Sequence, residues 1–352
     1  MKLGSFKFIP KSFLGIDIGT SAIKVVELSR WGGRKSLKNY GELRSGTLYA
    51  EVFRKFEQNS LSLSSKDIAR AIKAIFQEAK ITSRQAVFSL PDFSSFFTYF
   101  ELPQMTKEEL PDAVQFEARK HVPLPLSEVT FDWQVLDANR NEKKPIKILL
   151  VAVPKEVINQ YQEIAALASL QLVSMEAEVF GLIRSAVGEL DKGALVLLDI
   201  GAQSTTVNVV CKRTLRISHS LDLAGSHFTQ RIAQSTVSMN EKAEEQKIAK
   251  GINDSSIAVV LSPLIDMLTL EIKKVSQNFF AMEGKEIEKI ILAGGSSLLP
   301  GLKEYIEKSL EKPTEIADPF QNIFYPPILE DAIKKAGPSL AVAVGMALRG
   351  LE

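Results

Sequence analysis

Apolar positions along the chain follow two patterns. Short runs are closed by glycine, proline or hydroxyl residues, and longer runs place an apolar residue every three or four positions. Phe13, Leu14 and Ile16 predict a strand that ends at Asp17. Gly19, Thr20 and Ser21 predict a tight turn, and Ile23, Val25, Val26 and Leu28 a returning strand. Trp31 to Lys35 reads as a turn and Lys38 to Ser45 as a third strand. Ser64 to Asp67 caps a helix with apolar positions Ile68, Ile72, Ile75 and Ala79. Gln85 to Leu90 is a strand stopped by Pro91.

From Phe93 to Gln171 the pattern changes. Phe96, Phe97, Tyr99 and Phe100 make an aromatic strand ending at Leu102-Pro103. Thr106 to Glu109 is a capping box for a helix through Leu110, Val114 and Ala118 that stops near His121. Val129 to Leu136 and Ile146 to Val153 read as strands joined by a polar turn from Asn139 to Lys144, and Pro154 opens a helix. This order predicts a small α+β module inserted into a first domain.

The chain then repeats its opening. Ala194 to Leu198 leads to Asp199-Ile200-Gly201, a hydroxyl-rich turn and a β-branched strand to Val210, with Asp199 standing 182 positions after Asp17. That spacing fits two duplicated domains and is too long for a solenoid repeat. Leu215 to Leu221 extends the second sheet, and Gly225 opens a helix. Ser238 to Glu241 reads as a capping box for a helix ended by Gly251. A long amphipathic helix carries Val260, Leu264, Leu268, Ile272, Val275 and Phe279. Glu288 to Leu292 is a buried-type strand running into Gly294-Gly295-Ser296-Ser297, and Leu302 to Leu310 is a helix. Asp318 to Pro327 reads as an irregular surface loop, and Pro338 as the start of a last helix.

Composition narrows the classes. At 352 residues the length prior is about two domains. A net charge of +1 gives no sign of a nucleic-acid partner. The single cysteine, Cys211, excludes an intramolecular disulfide framework and reads as a small core residue. No run reads as membrane-spanning: Leu340 to Leu348 is too short, and Ile257 to Leu270 is interrupted by Pro263 and Asp266. The N-terminus has no secretory signal pattern, and Phe6, Phe8 and Ile9 read as an ordinary tail. His121, His219 and His227 show no metal-ligand spacing.

Three glycine-bearing turns thus stand at strand ends: Asp17 to Ser21, Asp199 to Thr205 and Gly294 to Ser297. Such turns bring backbone N–H groups and hydroxyls close to phosphate oxygens, and an acid at the strand end can hold Mg²⁺ directly or through water. Each turn alone is equally an ordinary hairpin. Glu244 and Lys247 alone read as an exposed helical ion pair.

Together these motifs resemble the actin-like ATPase superfamily, whose members include actin, the Hsp70 chaperones, the sugar kinases and FtsA. The insertion, and the run Leu102-Pro103-Gln104-Met105 through Glu109, Glu117, His121, Val122 and Pro123, resemble the FtsA and PilM branch, most of all the PilM family of type IV pilus assembly. The resemblance implies an α/β fold of duplicated actin-like, ribonuclease H-like domains. Residues 1–92 and 172–192 would form the first domain, 93–171 the inserted module, 193–336 the second domain and 337–352 a helix returning to the first. It implies ATP or ADP with Mg²⁺ as cofactors. Asp17, Gly19, Thr20, Ser21 and Lys24 match the first phosphate motif, and Asp199, Gly201, Gln203, Ser204 and Thr205 the second. Gly225 matches a glycine beside the phosphates, Glu244 and Lys247 the nucleoside-contacting helix, and Gly294, Gly295, Ser296 and Leu298 the adenosine motif. Asp17 and Asp199 are the metal candidates. Asp199 and Gln203 are the catalytic candidates, with nucleotide holding expected over efficient turnover and weak ATPase activity left open.

As partner the resemblance implies the cytoplasmic N-terminal peptide of a PilN-like inner-membrane protein, held in a groove between the first actin-like domain and the module that contains Leu102, Pro103, Met105, Glu109, Glu117 and Pro123. Other pilus proteins, including motor ATPases, stay open as partners. The expected location is cytoplasmic, peripheral to the inner membrane through a protein partner, without direct membrane insertion. The alternatives are an FtsA-like polymer-forming protein, for which the C-terminus offers no amphipathic membrane helix, and a sugar kinase, for which no clear catalytic acid is found.

Overall fold

Two five-stranded sheets with the same connectivity carry the chain. The computed structural model describes residues 11–48, 52–55, 60–136 and 145–352. The expected Asn139 to Lys144 turn and the Phe6 to Ile9 tail lie outside them. In the first sheet the strands run Gln171–Ala177, Gln85–Leu90, Lys11–Ile18, Ala22–Trp31, Arg34–Arg44. In the second they run Thr314–Ile316, Lys289–Ala293, Ala194–Ile200, Thr205–Cys211, Thr214–Leu221. Each is parallel over its first three strands and antiparallel over the rest. Lys11–Ile18 and Ala194–Ile200 take the central place because they are apolar on both faces, as strands covered on both sides must be.

Each sheet has its own core. Helices Ser65–Glu78 and Lys155–Leu167 cover one face of the first through Ile68, Ile72, Ile75, Tyr161 and Ile164. The long helix Ser255–Glu283 covers the second through Leu261, Ile265, Leu268, Ile272 and Phe279. This helix has the length and composition of a membrane span, but its apolar stripe is used in that core. It runs unbroken through Pro263, as the expected long amphipathic helix does. Val259 and Pro263 both face solvent, where water satisfies the carbonyl that the proline cannot.

The inserted module is a three-stranded antiparallel sheet, with Ile146–Pro154 between Phe96–Leu102 and Val129–Leu136. Helix Leu110–His121 packs on its outer face through Leu110, Val114 and Ala118. The inner face, with Phe97, Tyr99 and Leu149, rests on helix Glu178–Ala186 and on Val210 and Leu215 of the second sheet. Helix Lys155–Leu167 follows the module in sequence, but its buried side chains enter the first core and not the module's.

Two expectations fail, and a third is refined. Ser238 caps nothing: helix Asn240–Lys250 starts after Met239, and the Ser238 hydroxyl pairs with that of Thr236. Asp318 to Pro327 is irregular and largely exposed, as expected, but it is anchored. Phe320 and Ile323 are buried, the Leu37 N–H donates to the Phe324 carbonyl at 2.8 Å, and the Phe324 N–H donates to the Lys35 carbonyl at 2.9 Å. The segment straps the second domain to the edge strand Arg34–Arg44. The last helix begins at Glu330 and takes Pro338 into its interior, so it is 22 residues long. It lies across the first sheet and crosses helix Glu178–Ala186, burying Leu340, Val344 and Met346.

Candidate functional site

The two opening hairpins are built alike. The Gly19 N–H donates to the Ala22 carbonyl at 2.9 Å, and the Gly201 N–H to the Ser204 carbonyl at 3.0 Å. In register, Asp17 stands opposite Lys24 and Asp199 opposite Thr206. The hairpin tips face each other across a cleft of about 1150 Å³ between the two sheets. The third turn closes the cleft from behind. Gly294 has φ +83°, and a Cβ there would collide with the Asp199 carboxylate and the Ile200 carbonyl, so only glycine fits. Gly225 and Ser226 donate their N–H groups to the carbonyls of Gly201 and Ala202 at 3.1 and 2.8 Å, which seats the N-terminus of helix Gly225–Thr236 against the second turn.

Asp17, Gly19, Thr20, Ser21, Lys24, Asp199, Gly201, Ser204, Gly225, Glu244, Lys247, Gly294, Gly295, Ser296 and Leu298 all line this cleft. Two expected residues do not. Gln203 lies outside the lining. Thr205 is fully buried, its hydroxyl given to the Leu223 carbonyl, because strand alternation turns it to the core and presents Thr206 instead. Lys247 is committed within the protein: its ammonium donates to the Gly225 carbonyl and the Thr229 hydroxyl and pairs with Glu244 at 2.7 Å.

The cleft floor is acidic. Asp17 accepts from the Ser89 hydroxyl at 2.7 Å and pairs with Lys24 at 3.6 Å. Burial, reinforced by Glu178 and Asp17 against the pull of Lys24, pushes the Asp199 carboxyl up to about 7. Burial also pulls the Lys24 ammonium down, but Asp17, Glu42, Asp199 and Glu178 outweigh it and leave it raised. This negative charge suits a cation. Among the described residues no three His, Cys, Asp or Glu side chains gather to cage one. The donor set therefore fits Mg²⁺, which takes one or two carboxylates and completes its shell with phosphate oxygens and water. Asp17 and Asp199 are the residues present to hold it.

Sequence reading missed Glu178 and Arg54, both of which reach the cleft. Glu178 opens the helix Glu178–Ala186, and its carboxylate pairs with the buried Arg54 guanidinium at 2.8 Å. Burial and Asp17 raise the Glu178 carboxyl although Arg54 opposes them. An acid between a strand end and a helix start was the available signal.

A second, smaller cavity of about 330 Å³ lies where the module meets the second sheet. Asp92, Phe93 and residues Phe96 to Thr98 form one wall, His121 and Pro123 another, and Ser218 to Ser220 a third. Both Phe96–Leu102 and Thr214–Leu221 are edge strands of their sheets. Of the partner candidates only Pro123 lines this cavity. Leu102 is buried in the module core and Met105 packs on it. Glu109 closes the capping box with Thr106, and Glu117 pairs with Lys120 and His121. Pro103 is exposed.

The family model described as type IV pilus assembly protein PilM matches residues 15–351. The chain belongs to the PilM family. This PilM-family chain is also similar to the solved PilM-PilN type IV pilus biogenesis complex, with a TM-score of 0.83 and 26% identity over 96% of this chain and 98% of that one. A curated relative, cell division protein FtsA of Streptococcus pneumoniae serotype 2 (strain D39 / NCTC 7466), is 19% identical over 347 residues, covering 84% of this chain and 73% of the relative. MreB5 of Spiroplasma citri bound to AMPPNP shares the fold at a TM-score of 0.55 and 14% identity, covering 96% of this chain and 95% of that one. The fold is that of the actin-like ATPases.

Proposed function

We propose that this PilM-family protein is a nucleotide-holding scaffold of type IV pilus assembly. It binds ATP or ADP with Mg²⁺ in the large cleft, and its module holds the cytoplasmic N-terminal tail of a PilN-like inner-membrane protein. The carrying observation is the pair of matching hairpins, Asp17 to Ala22 and Asp199 to Ser204, that face each other across one acidic cleft. Backbone N–H groups and hydroxyls at the two tips would meet the phosphates, and the metal would neutralise the charge that Asp17 and Asp199 set against them. Gly294, Gly295 and Ser296 would accommodate the nucleoside.

Turnover in this reading is slow. Gln203 lies outside the cleft, and Glu178, an acid that reaches its floor, is engaged by Arg54. The likeness to a PilM-PilN complex supports the tail as partner, and the cavity between two edge strands suits an extended segment. Such a partner would hold the protein at the cytoplasmic face of the inner membrane. Calorimetric titration of the full chain tests both halves: Mg-ADP and Mg-ATP should bind with one-to-one stoichiometry, and so should a peptide of a PilN-like cytoplasmic N-terminus. Absence of nucleotide binding overturns the cleft reading, and absence of peptide binding by nucleotide-loaded protein overturns the scaffold reading.

A further inference from the structure

The large cleft and the small cavity are separated by one layer of side chains. Arg54 and Glu178 line the cleft, whereas Asp92 and Phe93 line the cavity. The four residues touch. The Arg54 guanidinium pairs with Glu178 Oε1 at 2.8 Å and lies over the Phe93 ring, 4.8 Å from its centroid. The Asp92 N–H donates to Glu178 Oε2 at 3.3 Å, and Asp92 Oδ1 accepts from the Val179 N–H at 3.1 Å. Ser89, three residues before Asp92, holds Asp17. The short helical turn Asp92–Ser94 is thus tied directly to the acids of the cleft.

We propose that this bridge couples the two cavities: polyphosphate in the cleft draws Arg54 away from Glu178 and Phe93 and loosens the cavity wall from Asp92 to Thr98. The charges set the direction. Arg54 is the cation of the bridge, the half-buried Glu178 carboxylate takes the Asp92 N–H, and the buried Asp92 carboxylate accepts from the Val179 N–H. Phosphate oxygens compete with Glu178 for the guanidinium. Once Arg54 turns to them, Glu178 loses its cation and Phe93 loses the charge stacked on its face. Coupling is reciprocal, so an occupant that pins Phe93 against Arg54 weakens nucleotide binding by the same factor.

The inference rests on the cleft being a nucleotide site. Its test is hydrogen exchange of the full chain with and without saturating Mg-ADP and Mg-ATP. Exchange at the amides from Asp92 to Thr98 should quicken by about fivefold or more with nucleotide. In Arg54→Met, and separately in Phe93→Leu, which leaves the ion pair in place, that response should be lost at saturating nucleotide. If no nucleotide binds, the cleft reading falls and this inference with it. If nucleotide binds and these amides exchange unchanged, only the coupling is overturned. A full response retained in a folded Phe93→Leu protein overturns the bridge as its route.

Discussion

Gly181 and Gly345 meet backbone to backbone where helix Glu178–Ala186 crosses helix Glu330–Leu351: a Cβ on Gly345 would collide with the Gly181 carbonyl. The two helices pack together against residues of the second sheet, with the Ser185 hydroxyl donating to the Ala341 carbonyl at 2.7 Å beside the crossing. Backbone cannot yield as a flexible side chain does. Gly345→Ala should therefore cost about 1–3 kcal/mol, and Gly345→Val more, as overpacking does elsewhere. Thermal unfolding checks this, and a Gly345→Val protein melting with the parent would refute the crossing.

At the phosphate turns, Asp17→Asn and Asp199→Asn should each weaken Mg-ADP binding by more than about tenfold, the loss of a charge-assisted contact of about 1.5–3 kcal/mol. Gln203→Ala should leave affinity within about twofold, because the side chain lies off the cleft. Titration calorimetry separates the two classes. A large effect at Gln203 would mean that the turn rearranges around nucleotide.

The buried Arg54–Glu178 pair should be fragile to half-removal. Arg54→Met leaves the Glu178 carboxylate buried without its cation and should cost about 3–5 kcal/mol. Adding Glu178→Gln should return a large part of that loss. Denaturant unfolding of the two single variants and the double variant measures it, and simple additivity would contradict a direct pairing.

Asp92 yields a pH prediction. Burial and the neighbouring Glu178 raise its carboxyl well above the ordinary value of 3.8, although the Val179 N–H and Arg54 oppose them. The folded protein therefore holds the proton more tightly than the unfolded chain does. Ionised Asp92 costs stability, and that cost grows as pH rises from 3.8 through the folded value. Asp92→Asn keeps an oxygen for Val179 and removes the charge. It should raise the melting temperature by about 2 °C near neutral pH, with the gain fading as pH falls toward 4. A gain that grew on acidification would have the wrong sign.

The fold was largely legible because its strands are short apolar runs that end in glycine turns, and the Asp17 and Asp199 hairpins repeat one pattern. What was not legible depended on tertiary placement. Thr205 and Thr206 are the same residue side by side, and only the register opposite Ile200 and Asp199 decides which faces the cleft. Glu178 has no motif around it; its role comes from a helix start brought beside Arg54, 124 positions earlier in the chain. The strap from Asp318 to Pro327 has no helical or strand period, so Phe320 and Ile323 gave no sign that they would be covered. Pro338 read as a helix start because proline is most at home there, yet the helix already runs from Glu330.

The long last helix sets the order in which the molecule is completed. Phe13, Val26 and Leu28 share one core with Leu340, Val344, Leu348 and Leu351, and Gly15 lies so close to Ala343 and Ala347 that a Cβ would strike their backbone. A ribosome making this chain finishes every strand of the second sheet before it releases the helix that covers the first. The first domain, although synthesised early, waits with an uncovered apolar face until Glu330–Leu351 has been made. Nascent chains halted before Glu330 should expose that face to chaperones and proteases, while chains extended past Leu351 should not.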